Sequence, residues 1–288
     1  MSSTPTKVIP KIWIEEFKVH SYEIGASGYA SPQSLCQFLQ EAASNHAAQL
    51  DFSAEEMART ERMWVLSQMS VRMESYPRWH DTITIETWPV AKGKSLRGYR
   101  DFILTNSAQQ RIGRASTMWL MLNSETKKPL KLPAELANYV SPGFENEILN
   151  PLKESEFTGE ANVVQEFLIR ASDIDWNMHV NNVCYLEWAL EAVPPRFRLS
   201  NQIAELDISF ISEGKYGSTV IAECFEQNTC GVNGDGEEIA GNVTDFRDVG
   251  ENSIDEQTSY LHRIREKESQ RVMALLRTKW CNKSRKDH

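Results

Sequence analysis

The chain repeats its own plan at a fixed distance, and a repeat of that length restricts the fold more than any local pattern does. Residues 19–42 read VHSYEIGASGYASPQSLCQFLQEA, and residues 169–192 read IRASDIDWNMHVNNVCYLEWALEA. Laid over each other without gaps at an offset of 150, Ile24 meets Ile174 and Glu41-Ala42 meets Glu191-Ala192. Each copy runs from a short apolar stretch through a polar turn into a helical pattern. In the first, Ser31-Pro32 supplies an N-cap and a proline at the first helical position. Leu35, Phe38, Leu39, Ala42, Ala43, His46 and Leu50 then recur at helical spacing. In the second, Val183, Leu186, Leu190 and Val193 do the same, and Pro194-Pro195 stops the helix.

Alternating patterns after each helix predict strands. They fall at 64–73, 81–88, 96–105 and 112–122 in the first half, and at 203–211, 217–225, 258–265 and 271–281 in the second. Glu266 to Gln270 are helix formers and offer a helix for the last pair. A hairpin is preferred there because Arg114–Trp119 (RASTMW) parallels Leu275–Trp280 (LLRTKW). Each half therefore reads as one strand, one long helix and four more strands. An antiparallel sheet curled around the helix is the simplest way to bury the helix's wide apolar face. The expected class is α+β, with one domain over residues 1–150 and a second over 151–288. The stretch near 123–162, with Pro129, Pro133, Pro142 and Pro151, is the expected connection.

Composition adds limits. A chain of 288 residues with 41% hydrophobic and 25% charged side chains can bury a core without disulfides or metals. No apolar run approaches the ~20 residues needed to cross a membrane. The first ten residues lack a signal-like hydrophobic stretch, so the expected location is cytoplasmic, or the chain is already processed. Five cysteines, odd in number and without CxxC spacing, argue against a disulfide framework and a zinc site. The net charge is −9, and eight acidic residues against one basic between Asn228 and Glu256 supply −7 of it. That glycine-rich segment reads as a mobile loop, and the remainder is free to hold basic patches.

The two copies differ at the turn before the helix. The second has Asp175, Asn177 and His179, alternating with Trp176 and Met178, where the first has Gly25, Ser27 and Tyr29. In an extended stretch, alternate residues point the same way. Three polar groups then converge just ahead of a helix N-terminus, whose free N–H groups and positive partial charge suit a developing oxyanion. By itself the pattern is equally an Asx-rich turn capping a helix, with His179 satisfied in the core. Gly231–Gly236 fails as a calcium loop, because the first ligand position is glycine and the twelfth is Asn242. His20, His46, His80 and His262 lack metal-ligand spacing, and Lys279 to Lys286 reads as a solvated basic tail. No cofactor, metal, nucleic acid or membrane is expected.

DIDWNMHVNNVCYLEWALEAVP (173–194) resembles the signature of the acyl-acyl carrier protein thioesterases of plant plastids and their bacterial relatives. FLQEAASNHA (38–47), MWVLSQMSVRMESYPRWHDTITIETWP (63–89), GKSLRGYRDF (93–102), RASTMWLMLNSETKKPLKLP (114–133) and LHRIREKESQRVMALLRTKW (261–280) are similar to that family in the same order. The resemblance implies a tandem double hotdog fold, hydrolysis of fatty acyl thioesters and acyl carrier protein as partner. It also implies that Asp175, Asn177 and His179 match the family's catalytic D-x-N-x-H. The family's catalytic glutamate falls on Glu213 in Phe210-Ile-Ser-Glu-Gly-Lys215, but Gly214 stands where the family has cysteine, and the arginines before it are missing. A water-based mechanism is then expected, with Glu213 as general base, Asp175 and His179 holding it, Asn177 orienting the carbonyl and N–H groups near Val180 to Asn182 stabilising the oxyanion.

The first half has lost the polar groups, so its interior is the expected place for the acyl chain. Met57, Trp64, Met69, Met73 and Trp119 are candidate lining residues. Basic candidates for docking the carrier are Lys92, Lys94, Arg97, Arg100, Arg111 and Arg114, or Lys127, Lys128 and Lys131. An acyl-coenzyme A thioesterase, a dehydratase and a non-catalytic acyl-thioester binding protein are the alternatives, and a homodimer is compatible with either half.

Overall fold

A computed structural model describes residues 12–90, 95–137, 151–227 and 258–282. The first half runs β1 (Trp13–Lys18), α1 (Pro32–Gln49), α2 (Ala54–Arg59), β2 (Arg62–Met73), β3 (Thr82–Val90), β4 (Arg97–Asn106) and β5 (Arg111–Asn123), then the single turn α3 (Ala134–Ala137). The second half runs β6 (Val163–Leu168), α4 (Asn182–Glu191), α5 (Pro195–Ser200), β7 (Asn201–Phe210), β8 (Thr219–Gln227), β9 (Thr258–Glu266) and β10 (Val272–Asn282). The expected α+β architecture is present. Ten strands form one antiparallel sheet in the order β1-β3-β4-β5-β2-β7-β10-β9-β8-β6. The order reads the same outward from β2–β7 in both directions, so the repeat in sequence is a repeat in space.

Local chemistry starts each helix where the pattern expects it. Ser31 Oγ accepts from the Ser34 N–H at 3.0 Å with Pro32 beside it, and the Asn181 side chain accepts from the Val183 N–H. The apolar stripe of α1 is buried: Leu35, Phe38, Leu39, Ala42 and Ala43 all lie in the core. Pro194-Pro195 stops α4 and at once opens α5, because a proline at the first position of a helix loses no hydrogen bond. The last pair of strands is the hairpin. The kinship with the first half extends to a detail: the Trp119 Nε1–H donates to Thr117 Oγ1 at 2.9 Å, and the Trp280 Nε1–H donates to Thr278 Oγ1 at 2.9 Å. Trp280 is buried in β10, so the chain as far as Asn282 is sheet and not a solvated tail.

The halves are joined along β2 and β7, from Gln68 opposite Ser209 to Arg72 opposite Glu205. Buried Asp207 is the clamp, accepting from Ser70 Oγ at 2.8 Å and from the Arg72 guanidinium at 2.8 Å. Because β2 and β7 are antiparallel, the loop after β7 (211–218) lies at the end of the sheet where β2 begins. Gln227 pairs with Ser259 at the other end of β8 and β9. The acidic segment 228–256 lies outside the described residues.

Candidate active site

The turn before α4 is a closed loop. Ile174 bridges to Val180, the Asp175 N–H donates to the His179 carbonyl at 2.8 Å, and the Met178 N–H donates to the Asp175 carbonyl at 3.0 Å. The expectation of an extended stretch with alternate side chains aligned is therefore corrected. What brings the groups together is a tight turn, with Met178 in the left-handed region at φ 64°. Asp175 is absorbed by that turn: Oδ1 accepts from the Asn177 N–H at 2.8 Å and the His179 N–H at 3.2 Å. This is an Asx-type arrangement, in which a short acid satisfies backbone donors two and four residues on. Asn177 projects from the exposed tip of the loop.

His179 is the member of the trio that reaches Glu213. Its Nε2 lies 3.4 Å from Glu213 Oε1, with side-chain exposures of 33% and 51%. The two groups thus lie within ion-pair distance of each other and are open enough to meet a substrate. Glu213 sits on the loop between β7 and β8, which is tied to β10 by the Ile211 and Ser212 N–H groups on the Met273 carbonyl. Of the backbone donors expected near Val180 to Asn182, that of Asn181 is already given to the Asp173 carbonyl at 2.8 Å.

The nearby thiol is no rival nucleophile. Cys184, in the first turn of α4, is buried against the Asp173 carbonyl, and burial pushes its thiol up to about 12. The nucleophile in a thiol reaction is the thiolate. Among the described residues there is no group of His, Cys, Asp and Glu able to hold a metal ion.

The candidate lining residues divide by depth. Met57, Met69 and Met73 are buried, and Trp64 and Trp119 are half-buried. Met69 lies between the helices with Gln40, Asn182 and Phe210, next to α4. The interior of the first half is not uniformly apolar, as the loss of polar groups from its turn had implied. Arg100 is buried there, with Nη1 3.1 Å from His46 Nδ1 and 3.2 Å from Thr87 Oγ1. Arg100 is therefore corrected from a docking residue to an interior one. Arg111 lies on Glu74 at the end of the sheet away from Glu213. Arg97, Lys127, Lys128 and Lys131 are exposed at the same end as Glu213, by the antiparallel run of β4, β5 and β2. Lys92 and Lys94 lie outside the described residues.

Two family models match the chain: the acyl-ACP thioesterase N-terminal domain over residues 10–140 and the acyl-ACP thioesterase C-terminal domain over residues 157–282. The chain belongs to the acyl-ACP thioesterase family. It is 32% identical over 217 residues to the chloroplastic palmitoyl-acyl carrier protein thioesterase of Cuphea hookeriana, covering 70% of this chain and 52% of that one. It is 27% identical over 290 residues to oleoyl-acyl carrier protein thioesterase 2 of Arabidopsis thaliana, covering 94% and 77%. The chain spans about half the length of the first curated relatives it matches. The 12:0-ACP thioesterase of Umbellularia californica superposes with a TM-score of 0.73 at 23% identity, covering 96% of each chain. An acyl-ACP thioesterase of Bacteroides thetaiotaomicron does so at 0.74 and 20%, covering 94% and 98%. These two likenesses bear on the fold alone, which is the double hotdog.

At position 214, where the resemblance leads one to expect cysteine, the chain has glycine. A Cβ placed on Gly214 would lie 2.6 Å from Ile169 Cδ1, 2.6 Å from Met273 Cε and 3.2 Å from Val180 Cγ2. The space a cysteine would use is taken by the ends of flexible side chains, which would have to swing aside to admit it. Two residues that touch this loop were not singled out by sequence: Tyr185, whose hydroxyl meets the Gly214 N–H, and Arg271, whose guanidinium meets the Glu213 carbonyl. Tyr185 lies in the 173–194 stretch, six residues after His179 on the buried stripe of α4, and nothing in its pattern separates it from a core aromatic.

Proposed function

We propose that this chain hydrolyses the thioester of a fatty acyl group carried on acyl carrier protein, releasing the free fatty acid. The observation that carries the reading is the contact of His179 Nε2 with Glu213 Oε1 at 3.4 Å, beside the start of α4. Glu213 is the general base. It takes a proton from a water whose oxygen attacks the carbonyl carbon, and the carbonyl oxygen takes up the negative charge. His179 holds the Glu213 carboxylate and shares its proton. Asn177, free at the loop tip, binds the carbonyl oxygen, and Asp175 holds the loop that carries both. Collapse of the tetrahedral intermediate breaks the carbon–sulfur bond, and the proton passes to the departing sulfur.

The acyl chain is read as passing between α1 and α4 over Met69 toward Trp119, Trp64 and Met57, with Met73 deeper along β2. Asn182 Nδ2 and Gln40 Oε1 meet at 3.4 Å across this gap, so a chain entering there must part them. The carrier is read as docking on Arg97, Lys127, Lys128 and Lys131, which share the site's end of the sheet. We place the boundary of the two units at residue 150. We read the chain as cytoplasmic; the four described cysteines, all unpaired, support a reducing compartment.

The test is release of fatty acid from a panel of acyl carrier protein thioesters beside the matching coenzyme A esters. Turnover of the carrier-protein substrates with a higher kcat/KM supports the reading. Turnover of coenzyme A esters alone moves the substrate class, and binding without turnover of either overturns hydrolysis.

A further inference from the structure

The same peptide unit that follows Glu213 is held at both of its polar ends by side chains from elsewhere in the fold. The Glu213 carbonyl accepts from Arg271 Nη2 at 2.9 Å, and the Gly214 N–H donates to the Tyr185 hydroxyl at 3.0 Å. Tyr185 is itself fixed, buried in α4 with its ring edge-on to Trp188 and Phe210 at 5.3 and 5.9 Å. A peptide plane held at both C=O and N–H has little freedom to rotate, so the ψ side of Glu213, and with it the direction of the Cα–Cβ bond, is restrained from outside the loop.

The first half serves as an internal control. The Ile112 carbonyl there accepts from Glu74 and Ser75 as the Met273 carbonyl accepts from Ile211 and Ser212. The His80 N–H donates to the Val19 carbonyl as the Gly217 N–H donates to that of Ile169. The loops therefore correspond residue for residue, and Tyr76-Pro77 stands where the second half has Glu213-Gly214. Pro77 has no N–H to give, Leu35 stands at the place of Tyr185 and Gln110 at the place of Arg271. The N–H of position 214, the tyrosine hydroxyl and the guanidinium are all missing from the half that also lacks the acid and the imidazole. The first half holds the matching loop by other means: Pro77 fixes its own φ, the Ala30 N–H donates to the Pro77 carbonyl at 2.8 Å, and Tyr29 bridges to Arg78, so the Tyr185–Arg271 clamp is particular to the half that carries the acid.

We infer that Tyr185 and Arg271 are positioning residues for the hydrolytic reaction, locking the Glu213–Gly214 peptide so that the carboxylate stays against His179. The inference rests on Glu213 being the base. Neither residue touches the substrate. Loss of one positioning hydrogen bond lowers kcat by about tenfold, while KM, set by the acyl chain and the carrier, stays within about twofold.

The experiment measures kcat and KM on an acyl carrier protein thioester for Tyr185→Phe, which keeps the ring, and for Arg271→Gln, which takes the first half's residue at an exposed place. Each is also made in a Glu213→Ala background. The expected result is a kcat loss with KM kept in the single variants, and no further loss once Glu213 is absent, since residues acting through one group are not additive. Wild-type kcat in both single variants, or the same fold-loss with and without Glu213, overturns the inference while leaving Glu213 as base. Full turnover by Glu213→Ala alone overturns the base, and the clamp with it.

Discussion

The turns before the two helices share one backbone and carry two different sets of side chains. In the first, the Gly25 N–H donates to Tyr29, that of Gly28 to Gly25 and that of Ser31 to Glu23. In the second, the Asp175 N–H donates to His179, that of Met178 to Asp175 and that of Asn181 to Asp173. Ile24–Ala30 and Ile174–Val180 are the matching bridges. Even the residue before each turn is capped alike, with Glu23 on the His20 N–H and Asp173 on the Arg170 N–H. The turn is thus a property of the fold, and Asn177 and His179 are not required to form it. The first half takes the left-handed position with Gly28 at φ 82°; the second places Met178 there at φ 64°. Where the second half pairs His179 with Glu213, the first pairs Tyr29 with Arg78, whose Nη2–H donates to the tyrosine hydroxyl at 2.8 Å. One half places an imidazole and a carboxylate on the scaffold, and the other places a tyrosine and an arginine on the matching turn and loop.

The comparison breaks most plainly by transplantation. Replacing Asp175, Asn177 and His179 by Gly, Ser and Tyr, the residues of the first half, is expected to leave a folded protein and to lower kcat by at least about 10²-fold, the contribution of a lost acid–base or carbonyl-binding group. Loss of the sheet signature in circular dichroism would show that the turn does depend on those side chains.

Acid sharpens the comparison through the buried histidines. His262 of the second half is enclosed with its Nε2 3.0 Å from Thr278 Oγ1, and burial pushes it down to about 3 from its ordinary 6.5. A histidine with a depressed folded-state value binds its proton more readily when unfolded. Its contribution is full above pH 6.5 and is lost as pH falls toward 3. The thermal midpoint should therefore drop over that window, and His262→Gln should flatten the drop; an unchanged acid slope in the variant would remove His262 as its cause.

Gly214→Cys tests how far position 214 has departed from its family. The added side chain must push aside the terminal methyls of Ile169 and Met273, so the cost is expected at the low end of overpacking, about 1 kcal/mol, read as a slightly lower midpoint in urea. It is also expected to give no turnover to a Glu213→Ala protein. Recovery of activity there would show that a thiol nucleophile works in this site.

The smallest effect belongs to Met178→Gly. The left-handed position is relieved and backbone freedom is added, so stability should move by less than about 1 kcal/mol. A larger loss would mean that the Met178 side chain holds the loop by contacts of its own.

The repeat and the strand alternation carried the architecture. All eight strands read from alternation are present within two residues of their ends, because half-buried strands must alternate. At the candidate site, the spacing of the residues suggests an extended run, whereas the chain makes a tight turn there. Period-two spacing in Asp175-x-Asn177-x-His179 looks extended, and only Gly28 at the matching place hinted that position 178 turns left-handed. Arg100 was assigned to the surface on its charge, although it sits two residues before buried Phe102 and shares that inward face. The clamp on Glu213 was illegible, since Tyr185 and Arg271 lie 28 and 58 residues from it and meet only in the folded sheet.

The measurement that bears most directly on the account is fatty acid release from acyl carrier protein thioesters by the wild-type chain and by Glu213→Ala. Turnover by the first, lowered by about 10²–10⁴-fold in the second, is the predicted result and establishes a water-using hydrolase with its chemistry in one half. Near-normal turnover by Glu213→Ala would contradict it.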